Sequence, residues 1–417
     1  MIELYVYIDA FELTNGPLLI GILSSEKIRG KEVFSFRADK NWLNNNSFVY
    51  LDADLQPYSG NQYAPTGKDN FGIFLDSCPD RWGRVLMQRR ERINAKAEGR
   101  SIQTLHESDY LLGVYDGNRM GALRFKTSLN GPFLDDNAKL ATPPIASLRA
   151  LEQASLNYEQ TNAEESPEYN KWIHMLYSPG SSLGGARPKA NVIDTDNNLW
   201  IAKFPSRNDT IDVAAWEYLV TDMAKDFGLN VSEIKLKKVS SRYHTFLTKR
   251  FDRQKDHRLY FASAMTLLGY TDGDNAAEGI SYLELAEFLQ RFGTPHQRED
   301  LRELWKRIVL NIAISNCDDH LRNHGFMLTP KGWRLSPVYD LTPNPDGWGL
   351  KLNINDNDNS LNYDVALHAA QWYGVKSDDA AMLISRCKVI ISEWRERANQ
   401  LGISRSEQEQ MKGAFKV

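Results

Sequence analysis

The sequence predicts an α+β fold, and three observations predict it. Short strand-like runs bounded by Gly, Pro, Asn or Asp recur through the first 255 residues. From Phe261 onward helical periods dominate. One late hairpin, with Gly325–Leu328 going out and Trp333–Val338 returning around Pro330, Lys331 and Gly332, interrupts the helices and carries polar residues at both ends.

In chain order, Glu3–Ala10 alternates as a strand. Leu18–Leu23 follows the Asn15-Gly16-Pro17 turn, and Phe34–Arg37 and Ser47–Leu51 read as further strands. FGIFLDSCPDRWGRVLMQRRERINAK gives a turn at Pro79 and a long helix carrying Arg81, Arg84, Arg89, Arg90 and Arg92. A solvated helix face accounts for these arginines; a basic surface for a protein partner or DNA is the alternative. Ser108–Gly113 reads as a helix end and Gly121–Phe125 as a strand. A softer connector follows, rich in turn residues and broken by one amphipathic helix, Ile145–Ser155.

Two strands, Lys189–Asp194 and Leu199–Phe204, come next, then a helix, Asp212–Phe227, and two more strands between 231 and 253. The helices after Phe261 are Tyr282–Phe292, Glu299–Ser315, Ser377–Gln400 and Ser404–Phe415. The expected organisation is an N-terminal mixed subdomain (1–130), a connector (131–168), a strand-rich lobe (169–255) and an all-helical C-terminal lobe (256–417).

Composition narrows the function classes. The chain has 417 residues, 42% hydrophobic and 25% charged, with a formal net charge of −4, which gives no whole-chain attraction to nucleic acid. Cys78, Cys317 and Cys387 are too scattered for a disulfide framework or a C-x-x-C zinc site. With no basic start leading into an apolar signal core and no bilayer-length apolar run, the expected location is the cytoplasm, with no membrane partner.

The chemistry concentrates in NIAISNCDDHLRNHGFMLTPKGWRLSPVYDLTP, from Asn311 to Pro343. A helix that reads as core ends in Asp318, Asp319, His320, Arg322 and Asn323, and the hairpin ends on Tyr339-Asp340. Phosphoryl transfer needs a carboxylate to orient the acceptor hydroxyl, then an Asn and a later Asp to hold Mg²⁺ on a nucleoside triphosphate. Asp318, Asn323 and Asp340 have that order and spacing. Upstream, Gly180, Gly184 and Gly185 precede the strand pair that ends near Lys203. A Gly-rich loop followed by a strand lysine suits phosphate binding, and Glu217 on the next helix is placed to pair with that lysine. The resulting expectation is a two-lobed, protein-kinase-like fold with an added N-terminal subdomain.

These residues resemble the HipA-like serine/threonine kinases, the toxin halves of bacterial toxin–antitoxin modules. The resemblance runs through FLDSCPDRWGRVLM and LLGVYDGNRMGALRF, then SSLGGARPK, IAKFP and KRFDR, then NCDDHLRNHGF and LSPVYDLTPN. It implies Asp318 as the catalytic aspartate and Asn323 and Asp340 as Mg²⁺ ligands. It implies ATP contacts from Gly184, Gly185, Ala186, Arg187, Pro188, Lys189 and Lys203. Lys249, Arg250 and Phe251 would hold the adenine, and His320, Leu321, Arg322 and Tyr339 complete the nucleotide site. Ser182, with Ser181 beside it, falls on the family's autophosphorylated serine, whose modification switches the kinase off. The implied partners are a small helix-turn-helix, HipB-like antitoxin, operator DNA through that antitoxin, and an aminoacyl-tRNA synthetase as substrate. Arg187-Pro188 departs from the family's more polar loop, and proline removes a backbone donor. Two other readings stay open: a pseudokinase acting as an antitoxin-bound co-repressor, and a small-molecule kinase sharing D-x-x-x-x-N.

Overall fold

The computed structural model describes residues 1–46, 49–137, 141–177, 185 and 187–417. The chain forms two compact units: Met1–Asp209 with Lys238–Ala262, and Thr210–Lys237 with Ser263–Val417. This division differs from the one expected at the connector, because the strand-rich segment packs with the N-terminal subdomain as one unit.

In the first unit, an antiparallel sheet runs Asn61–Tyr63, Lys31–Ala38, Leu18–Ile28, Ile2–Ile8, Leu123–Lys126. Alternation puts Leu4, Val6, Ile8, Leu23, Phe34 and Phe36 inside. Phe74 completes that layer, its ring 5.7 Å from Phe36 and 6.1 Å from Phe125. No strand forms over the described part of the span Ser47–Leu51, where one was expected. A helix, Lys40–Asn46, precedes it, Val49–Leu51 is irregular, and Ser47 and Phe48 lie outside the described residues.

The long helix is Arg81–Glu98. Asp80 caps it by accepting from Gly83 N at 3.1 Å, and Gly99 ends it in the left-handed region at φ 65°. Its apolar face, Trp82, Leu86 and Met87, packs on Tyr110 and on an additional helix, Tyr169–Tyr177. The arginines do not form a free basic surface. Arg84 pairs with Glu107, Arg89 with Glu164, and Arg90 lies 4.0 Å over the Tyr177 ring, while Arg81 and Arg92 are exposed. The connector helix is Leu148–Tyr158, preceded by a 3-10 turn at Ile145–Ser147.

Lys189–Ile193, Leu199–Lys203 and Thr245–Lys249 form antiparallel neighbours, with Lys189 opposite Lys203 and Trp200 opposite Lys249. Ala190, Val192, Trp200, Ala202 and Leu247 pack from these strands against Leu148 and Leu151.

In the second unit, Asp212 caps the helix Val213–Asp226 by accepting from Ala215 N at 3.2 Å. Tyr282–Phe292 starts at a capping box of Ser281 and Glu284. Gln297–Ala313 is the central helix, burying Leu304, Trp305, Ile308, Val309 and Ile312. The expected span Ser377–Gln400 is two helices, Ser377–Ser392 and Trp394–Gln400, joined at Glu393, and Arg405–Met411 follows. Ala264–Leu268 and Tyr363–Ala369 are short helices that periodicity did not reveal. The hairpin pairs Gly325–Thr329 with Gly332–Leu335. Among the described residues no helix is long and apolar enough to cross a membrane.

Candidate active site

The residues around Asp318 are set by the end of the central helix. Asn316 N bonds to Asn311 O at 2.8 Å across Ser315, which takes φ 49°. That is the closure usually made with glycine, so a serine there carries some backbone strain. The chain then turns sharply, and the two adjacent carboxylates separate.

Asp319 points inward and is 4% exposed. Its Oδ2 accepts from Tyr282 OH at 2.7 Å and Asn311 Nδ2 at 2.6 Å, and His324 Nε2 lies 2.8 Å away. Asn311 Oδ1 in turn accepts from Asn316 Nδ2 at 3.0 Å. Burial raises the Asp319 pKa, but the charge and hydrogen bond of His324 and the Tyr282 hydroxyl outweigh it, so the carboxyl is held below the usual range. Asp318 is exposed, and its carboxylate has no hydrogen-bond or ion-pair partner among the described residues. Its carbonyl accepts from His320 N at 2.9 Å and from Asn323 Nδ2 at 3.0 Å. One aspartate therefore anchors the loop and its neighbour presents a bare carboxylate on it.

The hairpin brings Asp340 back to the same end. Ser336 N bonds to Gly325 O at 2.9 Å, so the residues before Gly325 and after Ser336 leave the hairpin together. Tyr339 OH donates to Arg322 O at 2.7 Å, tying the residue before Asp340 to the residue before Asn323. Asp340 sits at φ 60°, a left-handed conformation that Asp tolerates better than most residues and that clusters at functional sites. Asn323 is 6% exposed; with Nδ2 on the Asp318 carbonyl, its Oδ1 is left as an acceptor. A carboxylate and an amide oxygen are the hard donors that Mg²⁺ takes, so these residues fit the ion. Leu321 is buried, and Arg322 contacts Met265 Sδ at 3.5 Å.

In the first unit the expected nucleotide residues divide by use. Ser181, Ser182, Gly184 and Ala186 lie outside the described residues. Gly185 takes φ 89°, and a Cβ there would stand 3.2 Å from Lys189 Nζ. Arg187 grips Asp209 with both terminal nitrogens, at 2.9 and 2.5 Å, and Pro188 O accepts from Phe204 N at 2.9 Å. The Lys189 side chain is 3% exposed, with Nζ 3.3 Å from Asp80 Oδ2. Trp82 Nε1 bonds to the Lys189 carbonyl at 3.1 Å.

Arg250 is likewise buried. Its guanidinium is buried on Asp252 (2.8 and 2.6 Å), Asn191 Oδ1 (2.9 Å) and the carbonyls of Asn118 (2.7 Å) and Arg119 (3.2 Å), and its N–H bonds to Leu199 O at 2.9 Å. The Phe251 ring lies 5.8 Å from Phe261, and Lys249 ends its strand opposite Trp200. Lys203 closes its strand with Nζ 5.9 Å from the Phe246 ring. Glu217, in the second unit, is 7% exposed, not the surface carboxylate that an amphipathic helix would also allow.

Sequence reasoning did not assign Tyr282, Asn311, Asp80 or Asp252 to the site. Asn311 had a signal, a polar residue inside the apolar run LWKRIVLNIAIS; the others act through contacts distant in sequence.

The profile of the HipA-like C-terminal domain family matches residues 181–407, more than half of the chain. A putative kinase of Haemophilus influenzae is 26% identical over 240 residues, covering 50% of this chain and 69% of that protein. The serine/threonine-protein kinase toxin HipA of Shewanella oneidensis is 23% identical over 280 residues, covering 60% of this chain and 61% of its own length. HipA of S. oneidensis MR-1, solved with HipB and operator DNA, superposes with a TM-score of 0.65 at 16% identity, over 98% of this chain and 93% of that one. At that identity the likeness establishes the fold, a HipA-like α+β architecture.

Proposed function

The chain belongs to the HipA-like kinase family, and from that premise we propose that it is an ATP- and Mg²⁺-dependent serine/threonine protein kinase, the toxin of a toxin–antitoxin pair. The observation that supports this most is the split of Asp318 from Asp319: a bare, exposed carboxylate beside a buried, hydrogen-bonded one. In the proposed reaction the γ-phosphoryl group passes from ATP to a serine or threonine hydroxyl and ADP leaves. The hydroxyl proton goes to Asp318. Asn323 and Asp340 would hold Mg²⁺, which when bound neutralises charge on the phosphate oxygens. Lys203 would pair with the phosphates and Glu217 support it, and the segment from Lys249 to Phe251 would take the adenine edge.

Asp340→Ala should abolish Mg²⁺-dependent nucleotide binding, with only partial recovery at higher Mg²⁺. Calorimetry with Mg-ATP checks this, and wild-type affinity in the variant would move the metal site elsewhere.

Ser182, or Ser181 beside it, is the proposed autophosphorylation site. A phosphate adds about −1.5 to −2 charge and three acceptor oxygens, which disfavours a loop placed against the ATP phosphates. Phosphopeptide mapping after incubation with Mg-ATP should place the modification on one of them. An active kinase phosphorylated on neither has no such self-inhibition.

The S. oneidensis relative was solved with HipB and operator DNA. A helix-turn-helix antitoxin, and operator DNA through it, are the proposed partners here, and an aminoacyl-tRNA synthetase is the proposed substrate. The helix Arg81–Glu98 is a poor DNA surface, since three of its arginines are engaged within the unit. Intact mass after Mg-ATP treatment separates this reading from a pseudokinase, which gains no phosphate.

A further inference from the structure

A turn packed against Cys317, the residue before Asp318, carries a large apolar side chain that the proposed reaction does not use. Trp348 is 84% exposed, more than any other large hydrophobic among the described residues. Its position is built. Gly347 rides directly on Cys317, the residue before Asp318: a Cβ at 347 would come within 2.3 Å of Cys317 Sγ and 3.2 Å of Ser315 O. The turn is held on both sides. Asn344 N bonds to Ile314 O at 3.4 Å and Gly347 N to Asn344 O at 3.4 Å, while Leu350 N bonds to Asn359 O at 2.7 Å. Asn359 Nδ2 returns a bond to Leu350 O at 2.7 Å. Glycine on either side leaves the indole no neighbouring side chain to shelter it.

A tryptophan held in water on a braced turn is an unusual use of the residue, which is mostly buried in folded chains and dominates binding energy where it meets a partner. The same segment follows Asp340 in sequence and packs at Gly347 against Cys317, which sets the turn that carries the indole beside the backbone of the proposed catalytic residue.

We propose that Trp348 is the docking residue for the protein substrate, taking an apolar side chain of the acceptor segment within about three residues of the hydroxyl that is phosphorylated. The range is an order-of-magnitude reach, about 10 Å for three extended residues at about 3.3 Å each. The proposal rests on the kinase reading and adds a substrate class to it: acceptor segments with an apolar neighbour, rather than purely polar or basic ones.

The experiment compares wild type, Trp348→Ala, Trp348→Phe and Asp318→Asn on a dephosphorylated host lysate with Mg-ATP. Phosphosites are read by mass spectrometry, and kinetics are followed on the best protein found. The expected result is wild-type sites sharing an apolar residue within about three positions of the acceptor, the reach derived above. Trp348→Ala should lose roughly 10- to 100-fold in kcat/KM, mainly through KM, with Mg-ATP affinity unchanged and partial retention in Trp348→Phe. If Trp348→Ala modifies the same sites at wild-type efficiency, the docking role is overturned while the kinase reading stands. If Trp348→Ala changes only the oligomeric state on a sizing column, the indole faces another copy or partner and the proposal fails. If wild type matches Asp318→Asn and modifies nothing, the kinase reading fails and this proposal with it. Loss of folding in both Trp348 variants would give the ring a structural role and overturn docking.

Discussion

Asp318→Asn should lose about 10²–10⁴-fold in phosphoryl transfer, the usual worth of a positioned general base, while binding Mg-ATP as the wild type does. The structure separates these effects. The Asp318 carboxylate is exposed and partnerless among the described residues, so its removal strands no buried group. The contact that positions Asn323 uses the Asp318 carbonyl, which the substitution keeps. Stability should stay within about 0.5 kcal/mol, as for surface changes generally. Single-turnover transfer to a phosphorylatable host protein, calorimetry and thermal melting measure the three quantities. Undiminished turnover would remove Asp318 from the reaction, and a large drop in melting temperature would mean that the side chain is structural.

Asp319→Ala should behave in the opposite way, unfolding the second unit more readily before any chemistry is considered. Its loss leaves Tyr282 OH, Asn311 Nδ2 and His324 Nε2 without their common acceptor in a dry interior. Breaking a buried charged cluster on one side typically costs about 3–5 kcal/mol. The cost depends on pH with a definite sign. The folded-state pKa of Asp319 is depressed, so its contribution is fully present above the unfolded value of about 3.9 and is lost as pH falls through the lower folded value. The gap between wild type and Asp319→Ala in urea unfolding should be constant near neutrality and shrink below about pH 4. A gap that widens in acid would mean the group is held protonated.

The fold class was legible because period and turn chemistry are local. The hairpin after Asn323 and the helices Tyr282–Phe292 and Val213–Asp226 emerged close to where pattern placed them. Strand edges near Ser47 were not, since an Asn-rich stretch beside Trp42 suits a short helix as well as a turn. The site was legible in part. Asp318, Asn323 and Asp340 announce themselves by spacing, and the structure brings Tyr339 and Arg322, their sequence neighbours, into contact. What spacing could not tell was which of two adjacent aspartates faces solvent. That is decided by Tyr282 and Asn311, whose hydrogen bonds reach Asp319 from other elements. Nor could it tell that Lys189 and Arg250 are held in the interior by Asp80 and Asp252, from sequence-distant and neighbouring positions respectively.

Those last two contacts bear on how the chain can be divided. The shared family region begins at residue 181, yet that point is not a seam in the first unit. A fragment cut there would keep Lys189 without Asp80, its carbonyl without the Trp82 indole, and Arg250 without the Asn118 and Arg119 carbonyls, while Asp252 would lose the Gly121 amide at 2.8 Å. Polar groups that are satisfied in the intact unit would lose these partners, although Arg250 would keep Asp252 and Asn191. The strand-rich segment and the residues from Asp80 to Gly121 are therefore tied by buried polar contacts within one unit. Neither can be exchanged for a counterpart from another protein unless the matching interior charges travel with it.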